Sequence, residues 1–431
     1  MTTSRFIGRS LSIAALLAAL GALWGPPAAR GQRPEEEPLP SRTVVLNIDA
    51  PEQSLYKIAV PSLLGSAQLG PQGAAVVRRD LQLVSLFDVL DPRSFVADLR
   101  AEGLAVRAAA WRAVGAQGVV KGEVRAGGRE VEMRFYDLAR GEQPALRHTY
   151  RGGPGQMRRW MHDFASRIVK LLTGKAAPFS SRLTFARRIG RGRKDVYVAD
   201  FDGHNVRRVS SGRGIAMLPA FGPGGIWYSV LTPRGMFITR TGVGERPIIR
   251  GGGLTMGPVP CGGRILFTST RDGNSEIYSA RPDGSDVRRL TRHPAIDVSP
   301  ACGPGGQVAF VSTRHGSPQI FVMKLDGSGV RRVTFRGRHN QTPAWCPDPS
   351  KQLLAFTGRS GGMDVFTLDL KTGEYTRLTQ GQGVNKDPAF SPDCRMVAFW
   401  SSRGGIFVSN PQGLNQQLVV RGHAETIRWS R

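Results

Sequence analysis

The stretch Asp387-Pro388-Ala389-Phe390-Ser391-Pro392-Asp393, followed by Met396-Val397-Ala398-Phe399-Trp400, decides how this sequence is read, because it recurs. Pro343-Ala344-Trp345-Cys346-Pro347-Asp348 leads into Leu353-Leu354-Ala355-Phe356, and Pro300-Ala301-Cys302-Gly303-Pro304 leads into Val308-Ala309-Phe310. Pro219-Ala220-Phe221-Gly222-Pro223 precedes Ile226-Trp227-Tyr228. Pro258-Val259-Pro260-Cys261, before Ile265-Leu266-Phe267, is the weakest copy. The anchor prolines 219, 258, 300, 343 and 388 lie 39, 42, 43 and 45 residues apart. A period of about 40 residues holding several short strands marks a propeller blade.

Each unit continues in the same order. A polar turn such as Thr270-Arg271-Asp272-Gly273-Asn274 follows the apolar run. An aromatic strand comes next, as in Glu276-Ile277-Tyr278, Gln319-Ile320-Phe321 and Asp364-Val365-Phe366. Then come Asp-Gly turns at Asp202-Gly203, Asp283-Gly284 and Asp326-Gly327, a strong hairpin signal because the turn needs positive φ. The last strand is basic: Val206-Arg207-Arg208-Val209, Val287-Arg288-Arg289-Leu290, Val330-Arg331-Arg332-Val333. Named a to d, the strands place d outermost, where charge guards an edge against pairing with another chain.

Strand counting predicts closure. Five complete a strands are present, and Thr426-Ile427-Arg428-Trp429-Ser430-Arg431 reads as a sixth with nothing after it. Its b, c and d strands lie far upstream, at Leu183-Thr184-Phe185-Ala186, Asp195-Val196-Tyr197-Val198 and Val206-Arg207-Arg208-Val209. The expected fold is therefore an all-β six-bladed propeller over residues 182–431, with one composite blade.

Upstream of the propeller, Arg5 and Arg9 precede an apolar run, Leu11 to Trp24, too short to span a bilayer comfortably. Residues 1–31 read as a signal peptide cleaved near Gly31, with no membrane span expected after cleavage. Residues 32–42, rich in proline and glutamate, read as a flexible arm. Residues 43–174 read as a small α/β domain with a mixed sheet. Its expected strands are Thr43 to Ile48, Leu55 to Val60, the hairpin arms Gly118 to Val124 and Glu130 to Tyr136, and Ala145 to Arg151. Its expected helices are Gly73 to Leu90, Val106 to Val114 and Met157 to Leu172, the last ended by Gly174. Residues 175–181 form the linker.

Lys and Arg number 59 against 33 Asp and Glu, a formal net charge of +26. Two accounts stand: arginine-rich composition with charged outer strands, or attraction to an acidic surface. With no nucleic-acid-binding motif and no run of five like charges, a nucleic-acid partner is not expected. Cys261, Cys302, Cys346 and Cys394 fall in or beside strand a of four successive blades. They read as buried small residues; an oxidising compartment would also permit disulfides, which spacing cannot assign.

Enzymatic readings are weak. Gly358-Arg359-Ser360-Gly361-Gly362 matches G-x-S-x-G, but that motif needs a strand-to-helix elbow, and here it joins two blade strands. His293, His315 and His339 lack metal-ligand spacing and no P-loop, dinucleotide or zinc-ribbon pattern is present, so neither a metal site nor a cofactor is expected in the chain. The chain reads as no enzyme.

Strand polarity locates the binding face. Loops b–c and d–a share one face, away from the Pro-Asp and Asp-Gly turns. That face carries Met217 and Met256, Asp297 and Ser299, Asn340 and Thr342, and Asn385 and Asp387. It also carries Arg271, Arg314, Arg359 and Arg403, with Arg188 in the matching place of the composite blade. Arginine and methionine are enriched at interfaces, so these residues are the candidate partner surface.

In order and combination, the signal peptide, the small domain ending Lys170-Leu171-Leu172-Thr173-Gly174, the opening Arg182-Leu183-Thr184-Phe185-Ala186 and the repeats Ser391-Pro392-Asp393 and Asp326-Gly327-Ser328-Gly329 resemble the TolB family. The resemblance covers nearly the whole mature chain. It implies a monomeric periplasmic scaffold that binds a Pal-like peptidoglycan-associated lipoprotein through the propeller. It also implies that an arm within Gln32 to Ile48, including Val44, Leu46 and Ile48, faces a TolA-like inner-membrane protein. The implied role is support of outer-membrane integrity and cell division. The alternatives are a propeller binding polyanion or peptidoglycan directly, or the accessory propeller of a peptidase.

Overall fold

A computed structural model describes residues 55–212 and 214–430. The expected strand Thr43 to Ile48 and the residues Val44, Leu46 and Ile48 lie outside them.

The N-terminal domain is a five-stranded mixed sheet in the order β2-β1-β3-β4-β5. β1 (Tyr56–Ala59) pairs in parallel with β2 (Phe87–Val89) and β3 (Gly118–Arg125). β3, β4 (Glu130–Asp137) and β5 (Leu146–Arg151) form an antiparallel meander. Helix α1 (Leu69–Leu83) and helix α4 (Met157–Thr173) pack through Ala74, Val77, Leu81, Met161, Phe164 and Ile168. Two short helices, α2 (Leu99–Glu102) and α3 (Ala108–Ala113), lie between. The helix expected to reach Leu90 stops at Leu83: Ser85 takes φ +58°, and Phe87–Val89 then extends beside β1. Helix α4 ends as expected, at Gly174 with φ +77°.

The propeller has six sheets. Innermost strands a are Ile215–Gly222, Thr255–Cys261, Asp297–Cys302, Asn340–Trp345 and Asn385–Phe390 in blades one to five. In the composite sixth blade strand a is Glu425–Trp429, paired antiparallel with Arg182–Gly190; Trp429 lies opposite Leu183 and Arg428 opposite Thr184. The ring is thus closed by hydrogen bonds between residues about 245 apart, and Trp429 Nε1 donates to Ser181 Oγ at 2.6 Å. The blade at Pro258, the weakest copy in sequence, has all four strands, whereas blade one has three. Blade one lacks an Asp-Gly turn, and the glycine-rich stretch 242–253 leaves only an isolated bridge, Ile238 to Ile249, where strand d would stand.

Two repeated devices join the blades. The turn between strands c and d carries a glycine with φ near +90°, at Gly203, Gly284 and Gly327. That glycine also lies against the preceding blade: a Cβ at Gly284 would sit 2.1 Å from the Ile248 carbonyl oxygen. Glycine is thus required twice over, by backbone conformation and by contact. The second device is a buried polar tie. Thr334 Oγ1 donates to Gln319 Oε1 at 2.7 Å, and so does Asn340 Nδ2 from the next blade, also at 2.7 Å. One blade further round, Thr379 Oγ1 donates to Asp364 Oδ1 at 2.6 Å and Asn385 Nδ2 approaches the same oxygen at 3.3 Å.

All four cysteines are paired, Cys261 with Cys302 and Cys346 with Cys394. Each bridge staples two adjacent blades at the trailing ends of their a strands. The segment 175–181 packs into the molecule: Phe179 is buried and stacks on Phe201 of the propeller.

Candidate partner-binding mouth of the propeller channel

In five blades, including the composite, the residue just before the anchor position has a left-handed backbone although it is not glycine. Leu218, Ser299, Thr342, Asp387 and Thr426 have φ of 55°, 55°, 50°, 57° and 52°; in blade two the position is Gly257, at 70°. The a–b pairing slips at this point in all six blades, so each carries a β-bulge. A left-handed L-residue costs about 1–2 kcal/mol, and a β-branched one such as Thr342 or Thr426 is strained further. Prolines follow five of the six and have no N–H to lose from the ladder. The bulged amides find partners from the neighbouring blade: Gly257 N–H donates to Ser229 Oγ at 2.9 Å, Asp387 N–H to Thr357 Oγ1 at 3.1 Å, and Thr426 N–H to Asp387 Oδ2 at 3.0 Å. Bulges re-aim side chains, and strained positions gather at binding sites.

All six residues line one cavity at this end of the central channel. Its wall is apolar, with Leu254, Met256, Val259, Ile296 and Val298 beside four of the anchor prolines. Asp387 and Arg428 are its two charged lining residues. Burial pushes the Arg428 guanidinium below its ordinary range, and the Asp387 carboxylate works against that shift. An apolar wall with a few convergent polar groups is the usual composition of a recognition site.

The other end of the channel differs. Phe221, Trp345, Phe390 and Trp429 line it, with Arg182 and Arg428. The N-terminal domain docks on this side. Arg79 donates to Gln417 Oε1 and the Leu418 carbonyl at 3.1 and 2.7 Å, Asn415 Nδ2 donates to the Gln82 carbonyl at 2.6 Å, and Arg395 Nη2 donates to Thr173 Oγ1 at 2.9 Å.

The residues singled out in the sequence fall into three groups. Met256, Ser299, Thr342 and Asp387 line the cavity, and Met217 packs beside it among Leu218, Leu254 and Met256. Asp297, Asn340 and Asn385 are fully buried between blades, so their side chains hold the ring together. Arg314 pairs with Asp297 at 2.7 Å and lies over Phe310 and Phe321. The other arginines do not form one free ring. Arg271 stacks on Phe267 and Tyr278, and Arg403 lies 4.1 Å from the Phe407 ring centre and donates to Gln416 Oε1. In the composite blade the stacked position belongs to Arg187, over Phe185 and Tyr197, and Arg188 is exposed. In blade four Arg377 covers Phe366, leaving Arg359 exposed at the end of strand b. Gly358-Arg359-Ser360-Gly361-Gly362 is a b–c hairpin turning at Gly361, φ +75°. Sequence reasoning missed Ile296 and Arg428 as cavity residues, whereas Val298 lies in the stretch before the anchor proline that it placed on this face. Ile296, four residues before that proline, lies one place beyond the stretch. Arg428 was hidden because Ile427 stands where the other copies have proline.

The profile described as the TolB amino-terminal domain matches residues 44–144, and that of the TolB beta propeller domain matches residues 169–357. The chain is 37% identical over 317 residues to the Tol-Pal system protein TolB of Anaeromyxobacter dehalogenans strain 2CP-C, covering 68% of this chain and 67% of that one. The TolB of Anaeromyxobacter sp. strain K is also 37% identical, over 316 residues. The crystal structure of TolB from Acinetobacter baumannii superposes with a TM-score of 0.73 at 24% identity, covering 87% of this chain and 96% of that one. With both domain profiles matched in order and relatives at this identity, the chain belongs to the TolB family of Tol-Pal system proteins.

Proposed function

We propose that the protein is a periplasmic, non-catalytic scaffold whose channel mouth captures a Pal-like peptidoglycan-associated lipoprotein. The observation that carries this reading is the ring of six bulged residues opening an apolar funnel on the face away from the N-terminal domain. Funnel, rim and strain lie together, and a projecting segment of a partner would bury Leu218, Leu254, Met256 and Ile296 while meeting the charged Asp387 and Arg428. The arm within Gln32 to Ile48 is the proposed contact to a TolA-like inner-membrane protein, so that the chain joins inner and outer envelope partners in support of outer-membrane integrity and division. No helix among the described residues is long and apolar enough to cross a membrane.

The test is calorimetric titration of the mature protein with the organism's own Pal-like lipoprotein, lacking its lipid, at two salt concentrations. Capture through a desolvated apolar funnel changes little between 50 and 200 mM salt, whereas polyanion binding by phosphate-like contacts falls by orders of magnitude. Charge reversal should use Arg359, since reversing Arg314 would put a second acid against buried Asp297 and damage the fold.

A further inference from the structure

The positive charge of the propeller is divided between its two faces. On the face away from the mouth the c–d turns carry acids, Asp283, Asp326 and Asp369, each accepting from the backbone N–H two residues on at 2.7–2.9 Å. The b–c and d–a loops at the mouth are the reverse. Among their described residues the one exposed carboxylate is Asp272, and it already pairs with Arg289 at 3.6 Å. Exposed arginines gather at two places. In the composite blade they are Arg188, Arg191 and Arg193, on a b–c hairpin that runs past strand a: the a–b pairing begins at Glu425 opposite Ala186, whereas the b–c ladder continues to Gly190 opposite Arg193. In the loops of blades three and four they are Arg338 and Arg359. None of these five has an ion pair among the described residues. Large apolar side chains stand among them: Phe335, three residues before Arg338, is 61% exposed, Val384 in the next d–a loop 41%, and Ile189 beside Arg188 39%.

We propose that this face is a docking surface for an anionic phospholipid membrane. Charge complementarity names the partner. Arginines on hairpin tips, with no carboxylate to leave, meet lipid phosphates through paired hydrogen bonds. Each basic residue close to an anionic leaflet adds about fivefold to affinity. Exposed apolar side chains between such arginines suit the boundary between headgroups and acyl chains, where an amphipathic surface lies without spanning the bilayer. Blade six lies across the ring from blade three, so a planar surface engages both groups of arginines together. A single-stranded nucleic acid would instead need a series of rings on which bases stack, and Phe335 is the one exposed aromatic residue among the described residues. The inference goes beyond capture of a protein partner. The face held to the leaflet is the one on which the funnel opens, so a partner anchored by lipid would be met at the same surface.

The test is flotation of the untagged mature protein with vesicles of phosphatidylglycerol and phosphatidylethanolamine, against vesicles of phosphatidylcholine alone. The expected result is binding to the anionic vesicles only, weakening about tenfold as salt rises from 50 to 200 mM. Reversing Arg191, Arg193 and Arg338 together to Glu should weaken it about 100-fold or more with an unchanged melt. Phe335→Ser, at a single exposed position, should weaken it about tenfold and keeps the test decisive if the triple variant misfolds. No binding to anionic vesicles, equal binding to phosphatidylcholine, or undiminished binding by both variants would overturn the proposal. So would displacement by inorganic phosphate beyond the effect of chloride at equal ionic strength, which would assign the arginines to a free anion. The lipid-free lipoprotein, titrated into the triple variant, should bind as it does to wild type, so membrane docking and partner capture are read separately. Loss of both together would assign these arginines to the protein partner and overturn the membrane assignment.

Discussion

The two mouths of the channel are built from opposite ends of the same six strands, yet they differ in kind. At the trailing ends, Cys261–Cys302 and Cys346–Cys394 tie neighbouring blades and the N-terminal domain rests against adjoining loops. At the leading ends, five non-glycine residues hold left-handed backbone conformations around an apolar hollow. One end carries covalent bracing and domain contact; the other carries strain and exposed apolar surface. A closed ring can hold strain at one rim because the opposite rim and the blade junctions are over-determined.

The comparison can be broken most forcefully at the closure. Removing the last strand by ending the chain after Arg421 takes Trp429 from Ser181 and opens the sixth blade. Loss of cooperative unfolding and of the native near-ultraviolet dichroism is expected; an unchanged melt would mean that the ring does not depend on its composite blade. The blade junctions come next. Gly284→Ala places a Cβ against the Ile248 carbonyl and forces a left-handed alanine, for a cost of about 2–5 kcal/mol in chemical denaturation. The braces rank third. Replacing Cys261 and Cys302 together by alanine frees a 41-residue separation and should cost about 2–4 kcal/mol, with partner affinity at the other mouth unchanged. A fall in affinity would show that the two mouths are coupled. The smallest effect is at the strained rim: Gly257→Ala adds a methyl at ordinary contact distance, 3.9 Å, from Leu218 Cδ1 at φ +70° and should cost about 1 kcal/mol.

Much of this architecture was legible in the chain. Proline anchors, Asp-Gly turns and the orphan strand around Trp429 gave blade number and closure, because each has a local backbone cause. Which arginines were free was not legible. Arg271, Arg314 and Arg403 come after strand b by the same spacing as an exposed rim residue would, and only the packing shows them lying on Phe and Tyr rings. The buried roles of Asp297, Asn340 and Asn385 were hidden for a similar reason: their partners, such as Gln319 and Asp364, belong to the preceding blade. The disulfides depended on which adjacent strands meet, and sequence spacing does not contain that.

The central claim is that the bulged mouth is the docking site. Titration of the Pal-like lipoprotein into the wild-type protein and into Met256→Glu, which puts a carboxylate in the apolar wall, tests it most directly. The account predicts at least a 30-fold loss of affinity, as for a residue at the centre of an interface, with the melting profile preserved. Equal affinity for the two proteins would contradict it.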